Sequence, residues 1–350
     1  WRGLFVIVGA AAAVLAVLTT LYVPNQKIPK GGKFDWFSFL AVGMGCVCML
    51  MVLIYGETDG WTAPGVLAWM YGGFCSFALA FISCMTHRTP LLDVRVLGNW
   101  RFLCGLLASL CNIFCICWVR VGTVQFMRNV MNYEPVGIAY VFMVLVAGFC
   151  GGAALVLPLM QKGRLALRVG MMAGLLALGA SAFFLSRLDA GCSWLDVAWP
   201  LGLFGIGYAF CLNTATPLAL RGVEGRSAAA SSRTLNTVRY IFISLYVSSV
   251  STVLAHMKTG FRFSMAEQVR DDSPGTAHTL DMWQRHFAET GGTAREIHAS
   301  VDAVLQKAVA LQSQVFSVDT FYLCTVIVGA AGVLFALFCL KSGQERKAAS

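Results

Sequence analysis

Residues 90–102 read PLLDVRVLGNWRF, a short basic stretch caught between two long apolar runs. Its leading proline disfavours helix in the residue before it. Arg88, Arg95 and Arg101 stand close to the flanking apolar ends, where charge fixes orientation in a bilayer. The stretch divides the chain into two parts. Before it the pattern reads as one helix and a helical hairpin, and after it as a separate bundle of six helices.

Hydrophobic residues make up 58% of the 350 residues, and only 12% are charged, about half the share of an ordinary soluble domain. Mean hydropathy is +0.71. A soluble core cannot hide that much apolar surface, so a bilayer is the expected solvent. Nine runs are long enough to cross about 30 Å of hydrocarbon as helices: Leu4–Val23, Phe34–Tyr55, Pro64–Met85, Phe102–Val124, Val136–Pro158, Leu165–Ser186, Val197–Leu220, Leu235–Ala255 and Val318–Leu340. They show little alternation with period two, which argues against a β-barrel. The fold class that follows is an all-α integral membrane protein.

The net charge of +9 sits in alternate gaps between the runs. Lys27, Lys30 and Lys33 share one side with Arg88, Arg95 and Arg101, with Lys162, Arg164 and Arg168, with Arg221, Arg226 and Arg233, and with Lys341, Arg346 and Lys347. The short gaps on the other side hold Glu57, Asp59, Arg128, Glu134, Arg187, Asp189 and Asp196. Cytoplasmic loops carry the excess of lysine and arginine, so the carboxyl tail is expected in the cytoplasm and the first residue outside. No basic stripe with interleaved aromatics is present, and a nucleic-acid partner is not expected. The chain starts at Trp1 with no signal peptide, and an outside start with nine crossings leads to the expectation that further spans precede it.

Twelve of the thirteen cysteines lie inside apolar runs, Cys192 being in an external gap. An odd count without a CxxC pair argues against a disulfide framework. Cys111, Cys115 and Cys117 read as small buried hydrophobes. No metal site is expected there, because no histidine or carboxylate lies beside them. His278, His286 and His298 are too widely spaced to suggest one either.

The polar residues inside the spans carry the functional reading. Asn112 either bonds a neighbouring helix or lines a pathway. Arg120 either snorkels to the outer interface or meets substrate, and Gln125 lies near it. Asn213 lies in a span that Gly202, Gly205 and Gly207 loosen and Pro217 interrupts, as happens at moving helices and sites in transporters. Asn236 and Arg239 are about one turn apart and share a face. Arg239 either faces a cavity or reaches the headgroups. These six residues are the candidates for a substrate cavity. The pairs Gly148/Gly152 and Gly170/Gly174 read as close helix packing. Residues 256–317 form one long polar insertion, whose second half places Ile297, Val301, Val304, Ala308, Leu311 and Val315 on the face of an amphipathic helix. Asp35, Glu134, Asp196 and Asp319 all fall at span ends, which leaves the spans without a central carboxylate to titrate. No cluster of histidine, aspartate and glutamate, phosphate-cradling loop or nucleophile constellation points to an enzyme.

Five segments together resemble a known family. WRGLFVIVG (1–9) resembles the start of the sixth helix in the fourteen-helix drug:proton antiporters of the major facilitator superfamily, the EmrB/QacA type. FDWFSFLAVGMG (34–45) resembles the start of their central hairpin, and PLLDVRVLGNWRF their cytoplasmic segment entering the C-terminal bundle. VQFMRNVMNYEPVGIAY (124–140) resembles their outer turn, and LNTVRYIFISLYVSSV (235–250) their penultimate helix. Two places depart from the family pattern: the loop 163–170 lacks its aspartate, and Tyr240-Ile241-Phe242 replaces Gln-x-Gly after the arginine.

The resemblance implies the last nine of fourteen helices. Residues 1–23 would be the last helix of the N-terminal bundle, 34–86 the central hairpin and 87–101 the cytoplasmic connector. Residues 102–340 would be the C-terminal six-helix bundle, with 256–317 a periplasmic insertion, and 341–350 a cytoplasmic tail. Asp93, Arg95, Arg101, Gly163, Arg164 and Arg168 would be gating residues in the cytoplasmic loops. The implied activity is secondary transport in a bacterial inner membrane: efflux of small hydrophobic or cationic compounds, with the proton gradient as energy source and no cofactor. Membrane lipid, a periplasmic adaptor and an outer-membrane channel are the implied partners. The alternative is a transport-inactive truncated fragment or a partner-binding membrane protein.

Overall fold

The computed structural model describes residues 2–22, 35–87, 92–161, 164–220, 227–268, 282–286 and 294–341. The long helices are α1 (Arg2–Tyr22), α2 (Trp36–Thr58), α3 (Pro64–Thr86), α5 (Trp100–Asn129), α6 (Pro135–Gln161), α7 (Arg164–Leu185), α8 (Trp194–Leu220), α9 (Ser227–Gln268) and α10 (Ala294–Lys341), with a single turn, α4 (Val94–Leu97), in the connector. Among the described residues these nine long helices are each apolar and long enough to cross a membrane, and none of the described residues is in a strand. Large apolar side chains cover the outside, Tyr71 and Met143 being 64% exposed and Ile327 69%. A continuous apolar exterior of this kind belongs in lipid and not in water. The chain is an all-helical, multi-pass membrane protein.

Local sequence sets the helix starts. Asp35 caps α2 by accepting from Ser38 N at 3.0 Å, Pro64 occupies the first turn of α3, and Asn99 caps α5 by accepting from Arg101 N at 3.2 Å. Gly60, at φ +92°, turns the chain between α2 and α3. Asn132, at φ 54°, does the same between α5 and α6, in a conformation that asparagine tolerates better than most residues.

Helices α5 to α10 form the bundle. α8 lies between α6 and α7, while α10 packs on α5, α7 and α9. Trp118 of α5 stacks on Phe321 of α10 with ring centroids 4.0 Å apart, and Thr123 shares a 2.9 Å hydrogen bond with the buried Tyr322 hydroxyl. α2 and α3 pair as a hairpin, and α2 leans on α9, where the Thr252 hydroxyl donates to Leu53 O at 3.2 Å. The described side chains of α1 are exposed along its whole length.

Three expectations change. The glycines of α8 do not loosen it. A Cβ on Gly148 would collide with Gly202 O, one on Gly205 with Leu145 O, and one on Gly174 would stand 2.6 Å from Cys211 Sγ. They are contact points that let α6, α8 and α7 approach backbone to backbone. Pro217 does not interrupt α8 either, which runs unbroken through Pro200 and Pro217 to Leu220. Bundle packing holds the helix where the proline removes one N–H.

The insertion, lastly, is helical at both ends. α9 continues to Gln268 and α10 begins at Ala294. Residues 294–317 hold no glycine or proline, so nothing stops the helix where polarity changes. The amphipathic face is present. Val301 and Val315 are buried and Leu311 packs on the core, whereas Ala308 is exposed and the side chain of Ile297 lies outside the described residues. As a result Asp319, at the start of the last apolar run, stands inside a continuous helix.

Candidate functional site

Arg239 joins three helices. From α9 its Nε donates to Ser109 Oγ of α5 at 2.6 Å, and its Nη1 donates to Thr216 Oγ1 of α8 at 2.7 Å. Both acceptors are neutral hydroxyls, which satisfy donors without cancelling the charge. The side chain borders a half-open cavity of about 290 Å³ between α5, α8 and α9. Asn236, one turn earlier on α9, lines the same space, as do Asn112 and Arg120 of α5, Tyr208 of α8 and Tyr240 of α9. Ile113, Ile116, Leu212 and Ile243 supply the apolar wall.

Asn112 is 2% exposed, and its Oδ1 has no hydrogen-bond partner. A buried acceptor without a donor costs about 1–3 kcal/mol unless something supplies one. Arg120 is exposed and lies roughly 16 Å along α5 from Ser109, at 1.5 Å per residue. Among the described residues no aspartate or glutamate lines the cavity. The arrangement offers two guanidinium groups, two carboxamides, two tyrosines and an aliphatic wall. It has the means to bind and orient a small amphipathic molecule.

Four of the six cavity candidates thus come together. The other two do not. Gln125 is further along α5, where its Oε1 accepts from Asn129 Nδ2 at 3.2 Å, and the Asn213 amide donates back to Ala209 O of its own helix at 2.8 Å. Helix periodicity explains both, since each faces away from the α5–α9 seam. Ser109, Thr216 and Tyr208 were not singled out by the sequence, and Tyr240 only as a departure from the family pattern. Hydroxyls inside apolar helices commonly bond their own backbone, as Thr214 does to Phe210 O at 2.7 Å, and nothing local marks the two that reach Arg239.

At the basic end of the bundle the Asp93 backbone amide donates to Thr234 Oγ1 at 3.0 Å, tying the connector to α9. Arg101 and Arg168 lie half-buried near the same end of α5 and α7. Gly163 and the side chains of Arg95 and Arg164 lie outside the described residues. A second cleft, of about 660 Å³, opens between the α2–α3 turn and α9, lined by Glu57, Trp61, Thr252, His256 and Met257. Among the described residues no three of histidine, cysteine, aspartate and glutamate converge as metal ligands.

No known family model matches the chain. It is 26% identical over 258 residues to the multidrug resistance protein Stp of Mycobacterium tuberculosis, covering 73% of this chain and 47% of that protein. It is 23% identical over 299 residues to the probable actinorhodin transporter of Streptomyces coelicolor, covering 80% of this chain and 48% of that protein. The chain spans about half the length of the curated relatives it matches. Among solved structures it is similar to the inward-facing, unoccupied form of a bacterial homologue of the human lysosomal transporter Spinster, with a TM-score of 0.48 and 14% identity over 86% of this chain and 69% of that one.

Proposed function

We propose that the protein is a secondary transporter of the major facilitator type that exports small amphipathic compounds. The observation that carries this reading is Arg239, a guanidinium within a helix long and apolar enough to cross a membrane, facing a cavity between three helices and held only by neutral hydroxyls. Ionisable groups inside a membrane face pathways or partners and not lipid. The names borne by the two relatives support a role in efflux. The drug:proton antiporters that the sequence resembles suggest the proton gradient as energy source, with no cofactor. In that reading the basic end of the bundle faces the cytoplasm of a bacterial inner membrane, and Asp93, Arg101 and Arg168 lie where the loops gate access. The extensions of α9 and α10 would then meet a periplasmic adaptor leading to an outer-membrane channel.

The experiment is efflux from energised cells producing the protein from its complete reading frame, loaded with a fluorescent amphiphile. Export is expected to stop when an uncoupler collapses the proton gradient. Export that continues unchanged under uncoupler contradicts proton coupling. A second reading, a partner-binding membrane protein without transport, is favoured by α1, whose described side chains are all exposed and so open to a neighbour. It requires that no export occur in the same cells.

A further inference from the structure

The charge of the cavity between α5, α8 and α9 bears on what it accepts. Arg239 spends two of its five N–H donors, on Ser109 and Thr216. Neither partner is an anion, and no carboxylate lines the space among the described residues. Arg120 adds a second guanidinium toward the far end. A ligand cation entering here would meet two like charges and no opposite one. A carboxylate or phenolate would instead meet a planar donor fork already fixed by two hydroxyls, the geometry that favours paired, charge-assisted hydrogen bonds. Asn112 adds a separate demand. The residue lines the cavity, and its Oδ1 is buried without a donor, a need that a ligand hydroxyl or N–H would meet. Tyr208 and Tyr240 add aromatic lining, and Ile113 and Ile243 aliphatic lining. At about 290 Å³ the space is at the lower end for small-molecule sites, which suits two or three fused rings.

We infer that this cavity selects aromatic hydroxy-acids in their anionic form, with the acid group on Arg239 and the hydroxyl on Asn112. The inference rests on the reading of the cavity as the substrate route, and it departs from the hydrophobic or cationic compounds that the family resemblance implies. Binding is separable from transport, so the test is equilibrium binding to the purified full chain in lipid nanodiscs. The probes are 3-hydroxy-2-naphthoate, its methyl ester, 2-naphthoate and naphthylmethylammonium, at a pH where the acids are ionised.

The hydroxy-acid is expected to bind at least about tenfold more tightly than the ester, as charge-assisted bonds require, and the ammonium more weakly than either. Arg239→Gln should bring acid and ester to within about threefold. Because Arg239→Gln also removes a tie between helices, Arg120→Gln serves as the second variant. Arg120 is exposed, so that protein should keep its melting temperature while the acid-to-ester ratio narrows. Asn112→Ala should weaken the hydroxy-acid more than 2-naphthoate. Equal binding of acid and ester, tighter binding of the ammonium, or a ratio unchanged in both arginine variants overturns the inference. Uncoupler-sensitive efflux of the ammonium without binding of the acid would sink this inference and leave the transporter reading standing. Acid binding without any efflux would do the reverse.

Discussion

Arg239 is where the chemistry of single side chains decides most. Hydrogen bonds to a charged group contribute about 1.5–3 kcal/mol each, so Ser109→Ala and Thr216→Ala should each lower the unfolding temperature of the purified protein, and the double variant should fall further. A double variant no less stable than wild type would show that neither hydroxyl holds the guanidinium. Asp319 is the opposite case, because its buried Oδ1 accepts from nothing. Asp319→Asn is therefore expected to stay within about 1 kcal/mol of wild type or above it in thermal unfolding. A large loss would mean that the carboxylate holds a contact. The sequence made Asn236 and Arg239 legible because three residues of helix put them on one face. It did not reveal Ser109, 130 residues away, since finding it needs the register of α5 against α9. Asp319 stands at the start of an apolar run inside a longer helix for a related reason: polarity marks where a membrane ends, while the absence of a helix breaker decides where a helix ends.

At the scale of helices, glycine contacts fix how α8 sits in the bundle. Gly205→Ala would drive a methyl into Leu145 O and should cost about 1–3 kcal/mol, whereas Gly151→Ala on α6, with nothing within 4 Å, should be neutral or slightly stabilising. Equal melting temperatures for the two variants would contradict the close approach of α6 and α8. The start of α2 offers a pH test. Burial raises the pKa of the Asp35 carboxyl, but hydrogen bonds from Ser38 and Ser83 and the charge of His87 outweigh it, holding it below the usual value. A lowered carboxylate pKa stabilises the fold above the unfolded value and loses that contribution as pH falls through the folded value. Amide exchange in the first turn of α2 should therefore quicken, relative to the rest of the helix, as pH drops below about 4, and Asp35→Asn should abolish the effect. The GxxxG pairs were legible as packing sites, but their partner was not. α8 carries Gly202, Gly205 and Gly207 at spacings that read equally well as hinge or contact, and only the facing helices distinguish the two.

For the whole molecule, apolar composition alone carried the nine spans, because a bilayer demands long helices whatever their packing. What it left open is the side each end faces and what crosses between them. If the basic end is cytoplasmic, a membrane-impermeant amine reagent applied to intact cells should modify Lys307, on the exposed part of α10, and spare Lys162. Labelling of Lys162 alone would invert the topology. The central claim, that the cavity around Arg239 is the route across, is tested most directly in inside-out vesicles carrying the complete protein and an imposed pH gradient. Gradient-driven uptake of an amphiphile is expected for the wild type and should be lost in a folded Arg239→Gln variant. Equal uptake by the two would contradict it.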